Sequence, residues 1–277
     1  MAVLSFDTDS LMMPVDEARS VARSLHDRYT SAEPYPHICL DDFLPAEIPE
    51  RVLHELEQLP EAQHSYSRPQ ENLKSNYSPE RLPLYTRRVI QMLNSRAFLL
   101  FLEDMTGIKG LIPDPYHAGG GVHVVSNGGH LDIHADFNYH EKLNLERRLN
   151  VLVYLNKDWQ PEWGGSFEIW DREMTHKVES FTPVFNRMVC FSTSSDSWHG
   201  NPEPVNHPEG QSRKSIALYY YTATWDGTRR KHTTLFRPRP GTADKPDKEI
   251  ARWEFIEDVL PPIVFRRVAG PLRRLGL

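Results

Sequence analysis

The segment GGHLDIHADFN, residues 128–138, places two histidines and two aspartates within seven positions, from His130 to Asp136. Along an extended strand alternate residues face the same way, so His134 projects with Asp136 and His130 with Asp132. Imidazole nitrogens and carboxylate oxygens are ligands for a metal ion, but a lone His-x-Asp is equally a hydrogen-bonding or surface pair. A third imidazole shifts that balance. His199, in SDSWHGNPEPV, follows Asp136 by 63 positions at the end of another predicted strand. Two imidazoles and one carboxylate make a facial set that leaves adjacent coordination positions open, the arrangement suited to non-haem iron(II) and oxygen chemistry.

Arg213 stands 14 residues after His199 and opens the strand RKSIALYYYT. Its guanidinium is a planar fork that grips a carboxylate through two hydrogen bonds. Strand alternation gives it a face shared with Ser215, Ala217 and Tyr219, while Ile216, Leu218 and Tyr220 take the other. In RLNVLVYLN, Tyr154 shares a face with Asn150 and Leu152, and its hydroxyl can meet the same carboxylate. Taken singly, Arg213 reads equally as a surface ion-pair residue and Tyr154 as a core aromatic.

These residues need a rigid frame. Residues 119–224 hold short apolar runs between Gly, Pro, Asn and Asp punctuation (GVHVV, HLDIH, RLNVLVYL, GGSFEIW, HKVESF, RMVCF, SIALYYYT), the spacing of an all-β sandwich or barrel. Residues 1–118 read as mostly helical, with apolar periodicity over 15–29 and 45–59, a short strand within 35–44, and helices near 84–94 and 95–106. Residues 61–83 are polar, Pro-bearing and aperiodic, and read as a loop; with 137–148, which includes the charged stretch HEKLNLERR, they are candidate lids over a site.

The set GGHLDIHADF, RLNVLVYLNKDWQPEWGGSFEIWD, PVFNRMVCFSTSSDSWHGNPEPV and SRKSIALYYYT resembles the catalytic domain of prolyl 4-hydroxylase-like, 2-oxoglutarate- and iron(II)-dependent dioxygenases. The resemblance spans roughly residues 119–224, with further support from YPHICLDDFLP. It implies a mainly β fold with flanking α-helices: a double-stranded β-helix, the cupin-like jelly roll, with N-terminal helices packed against it. It implies iron ligands at His134, Asp136 and His199, with His130 and Asp132 the minority alternative. It implies 2-oxoglutarate held by Arg213 and Tyr154, O2 as cosubstrate, and ascorbate as a supporting reductant. The implied reaction is hydroxylation of an unactivated C–H, coupled to decarboxylation of 2-oxoglutarate to succinate. Asp136 stands where halogenating relatives lack a carboxylate, so the expected outcome is oxygen transfer. Candidate substrate contacts are His123, Asn138 and Trp198, and the acceptor is a prolyl, amino-acid-like or peptidyl group, or alternatively a small molecule or natural-product intermediate.

The 277 residues fit one domain, read as helical support over 1–118, catalytic core over 119–224 and a basic extension over 225–277. That extension has 12 Lys/Arg against 7 Asp/Glu, leaving residues 1–224 at −11 within an overall −6. The sequence therefore predicts no nucleic-acid partner; the basic tail docks on the acidic body or meets an anionic partner. The segment MAVLSFDTDSLMM lacks a basic leader region, no apolar run is long enough to span a bilayer, and only Cys39 and Cys190 are present, so a cytoplasmic protein without transmembrane segments is expected. The oligomeric state is not legible. Two readings of other classes compete: a hydrolytic zinc site, for which no H-E-x-x-H or Cys-rich pattern exists, and a non-catalytic jelly-roll binding module.

Overall fold

A computed structural model describes residues 2–59, 64–77 and 79–244. Helices α1 (Val15–Thr30) and α2 (Glu47–Glu57) flank strand β1 (His37–Leu40), and helices α3 (Leu84–Leu93) and α4 (Arg96–Thr106) precede the β-rich core, close to their sequence expectation. The Ser95 hydroxyl caps α4 by accepting from Phe98 N, and Gly107 ends it at φ +77°, a conformation open to glycine. Residues read as an aperiodic loop instead form a hairpin, β2 (His64–Arg68) and β3 (Glu71–Tyr77). No alternation of apolar residues announces it, because its stability comes from pairing with a strand fifty residues later rather than from an apolar face of its own.

The core follows as β4 (Ile112–Pro113), β5 (Gly121–Ala135), β6 (Tyr139–His140), β7 (Leu145–Tyr154), β8 (Phe167–Trp170), β9 (Lys177–Phe181), β10 (Met188–Ser192), β11 (His199–Asn201), β12 (Arg213–Thr222) and β13 (Leu235–Phe236). The main path of the sheet runs β1-β10-β7-β12-β5-β11-β8-β9. Its named strand pairs are antiparallel, and β3 and β13 pair with β5 off that path. This is the jelly roll. Among the described residues no helix is long and apolar enough to cross a membrane.

Period-two alternation divides each central strand between two environments. Leu149, Val151 and Val153 of β7, Ile216, Leu218 and Tyr220 of β12, and Met188 and Cys190 of β10 pack outward against Phe98, Phe101, Leu102 and Met105 of α4 and the other helices. Asn150 and Leu152 of β7, Arg213, Ser215 and Tyr219 of β12, and Phe191 of β10 face a cavity inside the roll. Burying the outward set against the helices stabilises the fold at about 1.5–3 kcal/mol per large side chain. Cys39 and Cys190 are free thiols offset by one position across β1 and β10, so they take opposite faces.

At SNGG, a step of two residues on β3 (Asn72 to Lys74) opposes a step of five on β5 (His130 back to Val125), so the chain loops out within a continuous strand. Gly129 lies there because a Cβ would stand 2.8 Å from the Asn72 carbonyl oxygen.

Candidate active site

His134 and Asp136 come from the end of β5 and its continuation, and His199 opens β11, directly opposite His134 in register. One ligand atom from each of the three buried residues lies within 4.8 Å of the others. Each imidazole donates from Nδ1 to a backbone carbonyl, His134 to Asp132 O and His199 to Ser197 O, both at 2.8 Å. That fixes the tautomer and leaves both Nε2 lone pairs toward the third member. The His134 Nε2 is 3.7 Å from Asp136 Oδ1 and the His199 Nε2 is 3.3 Å from Asp136 Oδ2.

Charge states match that role. Burial, with His199 alongside, pushes His134 down to about 3, so it is neutral. Burial alone would raise Asp136, but Arg147 and the two histidines outweigh it and hold the carboxyl well below its usual range. Two imidazoles that donate from Nδ1 and turn Nε2 inward, with one carboxylate, converge in a buried site as a donor set suited to iron(II).

The Asp136 carboxylate is itself held. Asn150 Nδ2 donates to Oδ2 at 2.7 Å, and Arg147 Nη2 reaches the same oxygen at 3.0 Å. Arg147 also donates from Nε and Nη2 to Asn150 Oδ1, and its guanidinium carbon lies 3.6 Å from the Tyr219 ring centre and 4.4 Å from that of Phe137. Sequence reasoning missed Arg147, leaving it within the candidate lid 137–148. The structure buries it in β7, where a register shift against β12 between Tyr220 and Tyr221 lets Arg147 face the same cavity as Asn150 despite its opposite parity.

Arg213 is buried in the same cavity, a space of about 280 Å³. Its Nε donates to Gly165 O at 2.7 Å and its Nη2 to the Tyr154 hydroxyl at 3.3 Å. Gly165 is required there, since a Cβ would meet Arg213 Cδ at 2.9 Å. No carboxylate pairs with Arg213 among the described residues, and burial lowers its pKa, with only Tyr154 acting against that.

His130 and Asp132 do not line the cavity. Between His199/His134 and Asn201/Leu131 the β5 strand advances three residues against two on β11, which breaks the alternation that would have joined them to His134. They form their own pair at 3.5 Å, and burial pushes Asp132 up to about 6. Among the predicted substrate contacts, His123 lines the cavity and bonds Gly119 O through Nε2 at 2.8 Å. Trp198 does not: one position from His199, it faces the opposite side, packs with Ile133, Ala135, Trp170 and Met174, and donates to Arg172 O. Asn138 is also outside the lining; its amide donates to Arg230 O and accepts from His232 N, tacking the post-core segment down. That segment contributes Thr234 and Phe236 to the cavity, and the hairpin contributes Glu71, Lys74 and Asn76. None carried a sequence signal. The remaining basic extension, with Arg266, Arg267, Arg273 and Arg274, lies outside the described residues.

Residues 120–221 match the sequence model of the 2OG-Fe(II) oxygenase superfamily. Solved structures share the fold. A prolyl hydroxylase from Trichoplax adhaerens, in complex with a hypoxia inducible factor oxygen degradation domain peptide fragment, is 17% identical, with a TM-score of 0.54 over 74% of this chain and 91% of that one. A prolyl 4-hydroxylase from Phytophthora capsici is 16% identical, with a TM-score of 0.52 over 92% and 76%. SnoK, a non-heme alpha ketoglutarate dependent carbocyclase from nogalamycin biosynthesis, is 11% identical, with a TM-score of 0.50 over 82% and 89%. No curated protein sequence matches. Residues 120–221 therefore resemble that superfamily, and the chain shares the fold of the two prolyl hydroxylases. The cofactors of this class are iron(II) and 2-oxoglutarate, with O2 as cosubstrate.

Proposed function

We propose that this protein hydroxylates an unactivated C–H of a prolyl, amino-acid-like or peptidyl substrate, with His134, Asp136 and His199 as iron ligands and Arg213 and Tyr154 as the 2-oxoglutarate anchor. The observation that carries this reading is the pair of complementary charge centres within one cavity. A metal-type donor set stands at one place, and a buried guanidinium without a carboxylate partner among the described residues stands at another. A buried cation is costly unless an anion joins it, so the chamber is built for a ligand bearing a carboxylate.

Iron(II) held by His134, Asp136 and His199 would, with 2-oxoglutarate and O2, supply the oxidising chemistry, one oxygen atom going to succinate with loss of carbon dioxide and the other to the acceptor. The chain contributes binding and orientation. Arg213 retains Nη positions for the far carboxylate while Gly165 O fixes its Nε, and the Tyr154 hydroxyl adds a donor beside it. Arg147 and Asn150 keep Asp136 ionised and in one rotamer. Phe167, Phe191 and Phe236 give the chamber apolar walls that limit water.

Peptidyl acceptors are favoured by the prolyl hydroxylase whose solved structure holds a peptide fragment. A small-molecule acceptor is the second reading, favoured by the fold shared with SnoK and by a cavity of only about 280 Å³. The test is succinate release from 2-oxoglutarate by the iron-loaded protein, followed by isotopic oxygen transfer into candidate acceptors. Absence of succinate with every acceptor class, peptidyl and small, would sink the proposal.

A further inference from the structure

Asn201 is buried on the cavity wall, and its Nδ2 has no hydrogen-bond partner. Leaving an amide donor unpaired in a buried position is unfavourable, and proteins tolerate it chiefly where something binds. Its place in the fold says what. Asn201 lies two residues beyond His199 on β11 and lines the same chamber. Past Asn201 the chain leads toward the arginine anchor: Glu203 O accepts from Gly165 N at 3.0 Å, and Gly165 O in turn holds Arg213 Nε at 2.7 Å. The backbone between His199 and Asn201 is closely held, because a Cβ on Gly200 would stand 2.7 Å from Asp132 O. A ligand filling the cavity that the triad and Arg213 share meets a wall that includes Asn201.

We infer that Asn201 is a third polar anchor for 2-oxoglutarate, its amide turning about χ2 to donate from Nδ2 to an oxygen of the cosubstrate. The inference rests on the proposed reading of the cavity. The chemistry favours an anion. An N–H donor and a guanidinium without a countercharge among the described residues line one cavity, a set suited to carboxylate oxygens, and hydrogen bonds to a charged acceptor are about twice as strong as neutral ones. Among the described residues the other unpartnered buried atom lining the cavity, Asn76 Oδ1, is an acceptor and cannot donate to an anion.

The experiment is calorimetric titration of the full chain, loaded anaerobically with Fe(II), with 2-oxoglutarate, alongside thermal melts of the metal-free proteins. Wild type binds. Asn201→Leu raises Kd about tenfold or more while the metal-free melting temperature is unchanged or higher, because the buried orphan donor is gone. Asn201→Asp, nearly isosteric, weakens binding further by setting a carboxylate against the anion. If both variants bind 2-oxoglutarate within twofold of wild type, the anchor role is refuted and the proposed function stands. A lowered metal-free melting temperature with unchanged Kd would make Asn201 a packing residue only and also refutes it. If wild type itself does not bind 2-oxoglutarate, the reading of the whole cavity fails, and the anchor with it.

Discussion

Two arginines are buried in one cavity, and they are treated in opposite ways. Arg147 is saturated: Asn150 takes two of its donors, Asp136 supplies the countercharge, aromatic rings lie close to its guanidinium, and its pKa is raised despite burial. Arg213 has one carbonyl and one hydroxyl, no countercharge among the described residues, and a lowered pKa. A saturated buried charge is part of the scaffold, whereas an unsaturated one is a receptor. On the proposed reading the same side chain serves structure at one position and ligand capture at the other, and its partners decide which.

The largest effect that would break this comparison comes from the triad, whose carboxylate is also the countercharge of Arg147. Replacing His134, Asp136 or His199 by Ala should reduce 2-oxoglutarate turnover to background, while His130→Ala retains most of it. Succinate assays with equal metal loading decide. A dead His130→Ala with an active His134→Ala would return the minority ligand register.

Removing each guanidinium sharpens the contrast. Arg147→Met leaves Asp136 buried without its counterion, and breaking such a pair costs about 3–5 kcal/mol of stability. Arg213→Met removes a charge that is unpaired in the ligand-free state, so chemical denaturation should find it as stable as wild type or more so. Its 2-oxoglutarate Kd should rise about 10–100-fold, with Arg213→Lys intermediate because the charge stays and the fork is lost. Equal destabilisation by the two substitutions would erase the distinction.

The pH dependence of the metal-free protein is a smaller effect. His134 has a folded pKa of about 3, below its ordinary 6.5, so its contribution is present above 6.5 and lost as pH falls toward 3. Asp132 acts oppositely: raised from 3.8 to about 6, its contribution is lost as pH rises through that window. Stability should therefore fall from pH 7 to pH 4, and Asp132→Asn should steepen the fall. A flat profile in both proteins would mean that His134 titrates normally. Smallest is Tyr154→Phe, which removes one hydroxyl beside Arg213 and should raise the 2-oxoglutarate Kd several-fold, for a loss of about 0.5–1.5 kcal/mol. An unchanged Kd would leave Tyr154 as packing alone.

Residue order alone determined the helices, the strand periodicity and the split of β12 into a core face and a cavity face, because these depend on local alternation between apolar and polar side chains. The resemblance to a known family proposed His134, Asp136, His199, Arg213 and Tyr154 as a group, where residue types and spacing alone had left other readings open. Tertiary structure decided the rest. Two register shifts, one in β5 and one in β7, turned His130 and Asp132 away from the cavity and brought Arg147 into it. The hairpin β2–β3 and the strand β13 exist by pairing with β5, so their contributions from Glu71, Lys74, Asn76, Thr234 and Phe236 had no local pattern to announce them. Periodicity is written into neighbouring residues, but a bulge or an added strand is fixed by hydrogen bonds to a partner far along the chain. Those bonds form only when the fold is complete.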